Sequence, residues 1–257
     1  FKLNNLRILK QFNGCCFADL DLKQQGVIED FQLLFYIIQP PTPERVKYDI
    51  FDRVNRGGTP LNKQEMRNAL YRGRCTRMLD KLCCSPEFLI ATGRSINKER
   101  MKDQYVVLRA MAFLMLHRGE FKDIPALQYR GDIDDFLARF MVYVNDNAPE
   151  KLIVDYENLF IRCMQISYDL LGENGFRFSG NGIRRPINMP LFEALSYLFS
   201  FVPEKIDYTW VSRLILDIES VKEEFDDSRY FSGNIDSTTS VSFRFDRMDK
   251  IINRIQL

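Results

Sequence analysis

The sequence predicts a mainly α protein with a small α/β section at its N-terminus. Three observations carry this. Apolar residues recur at helical spacing through most of the chain after Pro40-Pro41. One run, Phe31 to Ile38 (Phe-Gln-Leu-Leu-Phe-Tyr-Ile-Ile), has the aromatic and branched content of a strand. Glycine, proline and short polar residues fall where the periodic stretches stop.

Leu3, Leu6, Leu9 and Phe12 suggest a short helix ending at Asn13-Gly14. Asp19 to Asp30 reads as a second, interrupted by Gly26. Phe31 to Ile38 follows as a strand whose near-continuous apolarity suits burial on both faces. Its partner strands would come from sequence ahead of Phe1. A helix then starts with Thr42 as N-cap and Pro43 in its first turn. Val46, Ile50, Phe51 and Val54 form its apolar stripe, and Gly57-Gly58 ends it, since glycine takes positive φ freely. The next helix starts at Thr59-Pro60, or at Asn62 with Glu65 completing a capping box. Leu61, Met66, Ala69 and Leu70 form its apolar side and Gly73 stops it.

Further helices are expected at Arg74 to Cys83, from Ser85-Pro86, at Glu99 to Leu116, Asp132 to Val144, Pro149 to Leu171, Pro190 to Phe201, Asp207 to Phe225 and Ser240 to Ile255. Gly172 to Pro186 and Ser228 to Thr239 read as loops. A domain boundary is placed near Gly93, giving domains 1–93 and 94–257. No internal repeat or low-complexity tract is found.

Composition removes several function classes. The 257 residues are 46% hydrophobic and 28% charged, an ordinary globular profile. The net charge of +1 gives no global field for nucleic acid or membrane. Charge is uneven, however. Glu44 to Lys81 holds ten basic residues against five acidic ones, so the glycine turn sits in a basic region. No apolar run reaches membrane-spanning length. The six cysteines (Cys15, Cys16, Cys75, Cys83, Cys84, Cys163) make no CxxC grid, and one histidine, His117, leaves structural zinc without ligands. Reduced thiols in a cytoplasmic protein are the expectation.

The glycine turn is the main candidate site. Exposed N–H groups ahead of a helix N-terminus attract anions, because the unpaired donors and the helix dipole point the same way. Gly57, Gly58 and Thr59 would supply backbone N–H groups and a hydroxyl to phosphate; the plain alternative is a helix–helix connection. No Walker lysine follows, so this is no P-loop. Asn55 is either a phosphate ligand or a helix C-cap. Arg53, Arg56 and Arg67 could give forked hydrogen bonds to phosphate, or pair with Asp49, Asp52 or Glu65 as solvated helix arginines. Glu65 is a secondary candidate, read first as a capping residue. Arg184 and Arg185 form a basic glycine loop that would touch DNA phosphate or simply face solvent. His117 reads as structural. Asp132, Asp134 and Asp135 read as an acidic first helix turn before they read as a metal site, and no metal is expected.

Phe51 to Ala69 (Phe-Asp-Arg-Val-Asn-Arg-Gly-Gly-Thr-Pro-Leu-Asn-Lys-Gln-Glu-Met-Arg-Asn-Ala) resembles the second signature of the GmrS-like family. This is the ParB-related domain of modification-dependent restriction and phage-defence proteins. Weaker similarity runs through Phe1 to Asp30 and through Gly172 to Leu198. The family's first signature, Asp-Gly-Gln-Gln-Arg, which the resemblance places shortly before Phe1, is absent, and the opening Phe suits a fragment.

The resemblance implies that residues 1–93 are the C-terminal part of a ParB-like nucleotide-binding domain and 94–257 a helical domain. It implies nucleoside triphosphate with Mg2+ as cofactor, bound by Asn55, Arg56, Gly57, Gly58 and Thr59 with Arg53 and Arg67 in support. In ParB proteins the comparable box has Asn followed by Arg and contributes to nucleotide binding. The function implied is an NTPase component of a DNA restriction or phage-defence system, active once the first signature is restored. DNA, a nuclease domain or subunit and a second copy of the chain are the implied partners. The alternative is a non-enzymatic helical interaction or DNA-binding scaffold.

Overall fold

The computed structural model describes residues 1–35, 37, 39, 42, 44–55, 60–178, 184–203, 208–228, 231 and 233–255. It divides into two compact units, Phe1–Lys47 and Tyr48–Leu257.

The first unit is short on core. An antiparallel bridge joins Lys2 to Cys16, with Leu3 N–H donating to Cys15 O at 2.9 Å. Single 3-10 turns follow at Lys10–Phe12 and Phe17–Asp19. The helix α1, Leu22–Glu29, is capped by Asp21, which accepts from Gln24 N–H at 2.8 Å. The helix expected around Leu3 to Phe12 is therefore reduced to one turn, while the second expected helix is present. Leu20 is the one buried residue described here.

The α/β section does not appear among the described residues, where that bridge is the sole β pairing. Phe31, Leu33, Leu34, Phe35 and Ile37 are 67–80% exposed and make no β pairing, and Tyr36 and Ile38 lie outside the described residues. A strand needs a neighbour to take its backbone groups, and the unit offers that run none among its described residues.

The second unit is helical. Its elements are the end of α2 (Glu44–Asn55), α3 (Lys63–Leu70), α4 (Arg74–Cys83), α5 (Pro86–Ala91), α6 (Lys102–His117), α7 (Ile133–Asp146), α8 (Glu150–Leu171), α9 (Met189–Phe199), α10 (Tyr208–Asp226) and α11 (Thr238–Ile255). The core is built on α6 and α9. Val106 to Met115 are all buried, as are Pro190 to Phe199, so both helices are enclosed all round. α6 packs on α4, α7, α8 and α9, while α9 is covered by α8 and α11. Phe113 anchors the centre, 5.3 Å from Phe136 and 5.7 Å from Phe245.

A buried ionic network crosses this core. Glu193 on α9 accepts from Arg109 Nε on α6 and from Arg244 Nη2 on α11, the latter at 2.6 Å. Arg109 also donates to Asp236 at 2.6 Å. His117 stacks on Phe245 with ring centroids 3.6 Å apart and so packs into the aromatic core.

Two local features shape the site. The helix expected over Glu99 to Leu116 is broken. Glu99–Met101 is a 3-10 turn, and Arg100 and Met101 both take left-handed φ of 58° before α6 begins. Such a conformation costs a non-glycine residue about 1–2 kcal/mol. Between α3 and α4, Asn145 donates to Tyr71 O and accepts from Cys75 N–H, each at 2.9 Å. A Cβ on Gly73 would come within 2.6 Å of the Asn145 side chain, so this turn needs glycine for space.

Candidate functional site

Asn62 starts α3 in the form the sequence suggests. Its Oδ1 accepts from Gln64 and Glu65 N–H at 2.8 and 2.9 Å, and Glu65 Oε2 accepts from Asn62 N–H at 2.6 Å. Asn62 Nδ2 reaches across to Arg100 O at 2.7 Å. Arg100 replies through Nη2, donating to Pro60 O at 2.7 Å and to Glu65 Oε2 at 3.0 Å. These bonds hold the kinked start of α6 against the start of α3 and offset the cost of the left-handed residues. Arg100 and the Asn62 amide together hold the Glu65 carboxyl below the usual range.

Arg67, one turn on, is fully buried rather than solvated. Its Nε donates to Gln64 Oε1 at 3.0 Å and its Nη1 to Asp134 Oδ1 at 2.8 Å. Nη2 is shielded from water and has no partner among the described residues. Its guanidinium lies 5.4 Å from the Tyr105 ring centroid. Asp134 also takes Lys63 Nζ. Burial pushes the Asp134 carboxyl up, but Lys63 and Arg67 outweigh this and hold it below the usual range.

These groups line a cavity of about 520 Å³, with Asn62, Lys63, Gln64, Arg67, Tyr105 and Asp134 on one side. Asn97, Glu99, Arg100, Met101 and Lys102 complete it. The N-terminus of the sixteen-residue α6 opens here, and Met101 gives it no side-chain cap. Arg100, Lys63 and Lys102 add positive charge at the rim. The unpaired buried guanidinium favours an anion, while in the first turn of α6 the Asp103 carboxylate already takes the Gln104 N–H at 2.8 Å.

Of the sequence-predicted residues, Arg67 and Glu65 are brought to this place, Arg67 in the cavity wall and Glu65 behind it. Arg53 is exposed on the last turn of α2, and Asn55 is that helix's last residue. Arg56, Gly57, Gly58 and Thr59 lie outside the described residues; Pro60, which follows them, is tied to Arg100. Arg184 pairs with Glu173 at 2.9 Å, and Arg185 pairs with Asp226 and covers the Phe178 ring. Asp132 caps α7, accepting from Asp134 and Asp135 N–H at 3.0 and 3.1 Å, and Asp135 pairs with Arg139. Among the described residues no cluster of His, Cys, Asp or Glu is arranged to hold a metal ion.

Sequence reasoning missed Asp134 as Arg67's partner, and missed Tyr105, Arg100 and Lys102. The Asp132-Asp134-Asp135 cluster opposite a basic segment was the one available signal. The buried thiols offer no nucleophile: burial raises Cys75 and Cys83, and Cys163 is pushed up to about 12. His117 is pulled down to about 3 by burial and by Arg244. No described helix is long and apolar enough to cross a membrane. Comparisons with protein-family models, with curated proteins and with solved structures give no match.

Proposed function

We propose that this chain is the nucleotide-binding part of an NTPase component of a DNA restriction or phage-defence system, with a ParB-like remnant at its N-terminus. The resemblance of Phe51 to Ala69 to the GmrS-like signature motivates the reading. The observation that carries it is Arg67. A buried guanidinium with one nitrogen unpaired is costly, and it stands in a charged cavity a few residues beyond the glycine turn. A phosphate taking Asp134's place would pair with Nη1 and Nη2 together. Mg2+ would accompany the triphosphate and neutralise part of its charge. Asn55, Arg56, Gly57, Gly58 and Thr59 would complete the site from the turn. The Asp-Gly-Gln-Gln-Arg signature is not among residues 1–257, so these residues should bind nucleotide with little turnover. A cytoplasmic setting is supported by six free cysteines. DNA, a nuclease subunit or a second copy of the chain remain the partners the resemblance implies.

Calorimetry with ATP and Mg2+ tests the reading, using the chain beside Arg56→Ala and Arg67→Lys. Binding weakened at least tenfold in both variants supports it. Unchanged binding in both, or none in the parent chain, overturns it.

The scaffold reading draws on a different observation. Glu65 is fully engaged as a cap, and two of Arg67's three nitrogens serve the fold. DNA binding with a steep salt dependence and no response to nucleotide would favour it.

A further inference from the structure

The cavity's side-chain amides are already engaged within the protein. Asn62 uses Oδ1 for the α3 cap and Nδ2 for Arg100 O. Gln64 accepts from Arg67 and donates to Asn68 Oδ1 at 2.8 Å. Asn97 donates to Glu99 Oε2 at 2.9 Å and accepts from Glu99 N–H at 2.8 Å. Side-chain amides read base edges by offering a donor and an acceptor together, and each of these three amides is already oriented by bonds at both its oxygen and its nitrogen within the protein.

The aromatic side of the cavity is occupied too. Tyr105 is the one ring among the lining residues, and two guanidiniums lie against it, Arg67 at 5.4 Å and Arg109 at 5.5 Å from its centroid. Base stacking needs an open ring face. What the cavity does offer is charge: the Lys102 ammonium and, behind the Asp134 carboxylate, the buried Arg67 guanidinium with its Nη2 unpaired. An anion already sits against Arg67, namely the Asp134 carboxylate, held there by Arg67 Nη1 at 2.8 Å and by Lys63 Nζ.

We infer that this cavity recognises the polyphosphate chain of its ligand and is indifferent to the base, with Asp134 holding the phosphate's place in the ligand-free protein. The inference rests on the nucleotide reading for its biological ligand, but its chemistry stands apart. Inorganic tripolyphosphate should bind as the nucleotides do, and adenosine should not. Removing the charge of Asp134 should tighten both kinds of ligand together.

The test is calorimetry on the whole chain with Mg2+, using ATP, GTP, CTP, UTP, inorganic tripolyphosphate and adenosine in turn. The five phosphorylated ligands should agree within about threefold, with adenosine silent. Asp134→Asn should tighten ATP and tripolyphosphate by about fivefold, and the exposed Lys102→Ala should weaken both. A tenfold preference for one base, or ATP binding where tripolyphosphate fails, overturns the inference and leaves the nucleotide site standing. Tripolyphosphate binding without any nucleotide binding upholds polyphosphate recognition and sinks the proposed function. Silence from every ligand overturns both.

Discussion

Arg244 donates through Nη2 to Glu193 Oε2 at 2.6 Å, and neither side chain has measurable exposure. The other Glu193 oxygen takes Arg109, which is closed on its far side by Asp236. Four charges from α6, α9, α11 and the segment ahead of α11 thus meet inside an aromatic core. Each guanidinium has a carboxylate partner, although Arg244 Nε has none among the described residues, and the network fixes which helix faces which at the cost of desolvating Arg109, Glu193 and Arg244.

Breaking it at the centre should be severe. Glu193→Ala would leave two buried guanidiniums with one carboxylate between them. The expected loss is about 3–5 kcal/mol, the usual cost of orphaning a buried charge. Glu193→Gln keeps the shape and should cost less. Urea unfolding of both variants beside the parent chain measures it. A loss below about 1 kcal/mol for Glu193→Ala would mean that the network contributes little.

His117 gives an acid-sensitivity prediction. It is neutral when folded, because burial and Arg244 pull it down to about 3, and it regains an ordinary value near 6.5 when unfolded. Between those values the unfolded chain holds one proton that the folded chain lacks. Stability therefore falls as pH drops from about 6.5 towards 3, by about 1.4 kcal/mol per pH unit for this one group. His117→Phe keeps the stack on Phe245 and should flatten the slope by that amount. Unfolding free energies at pH 6, 5 and 4 test it; equal slopes would show that His117 titrates normally.

Much of the helical framework was legible because periodicity and caps are local. α4 lies where Arg74 to Cys83 placed it, and Asp132, Ser85 and Asn188 cap α7, α5 and α9 as short polar residues do. What failed depended on distant partners. The apolar run from Phe31 satisfied every strand criterion except a neighbour. At the break at Arg100–Met101, Asn62 and Glu65 bond to Arg100 from thirty-five or more positions away, and no residue there is a glycine to announce it. At the site, Arg67 was legible as a phosphate candidate from its place after the turn. Its burial was not, because Asp134 lies 67 positions further on.

Asn62 ties that break to α3, so its removal should be felt twice. Asn62→Ala deletes the cap on two N–H groups, worth about 1–2 kcal/mol. It also releases Arg100 O, one of the bonds that hold the left-handed pair. Thermal unfolding should show the stability loss, and amide exchange at residues 99–103 should accelerate more than in the middle of α6. Uniform exchange along α6 would show that the kink does not depend on this contact.

Asp134 sets stability against binding at one position. Its carboxyl is held below the usual range by Lys63 and Arg67, so it stabilises the fold above about pH 4 and loses this contribution as pH falls through its folded value. Asp134→Asn keeps an acceptor for Arg67 Nη1 but removes the charge. The variant should be less stable by about 1 kcal/mol at pH 7, and the gap should close below pH 4 as the parent chain protonates. The same change removes the carboxylate charge that competes with an outside anion at Arg67, so the less stable protein should bind polyphosphate more tightly. Stability and affinity moving in opposite directions is what a place-holding carboxylate requires. If both fall together, Asp134 is a ligand-side support for the site rather than the group that a phosphate replaces.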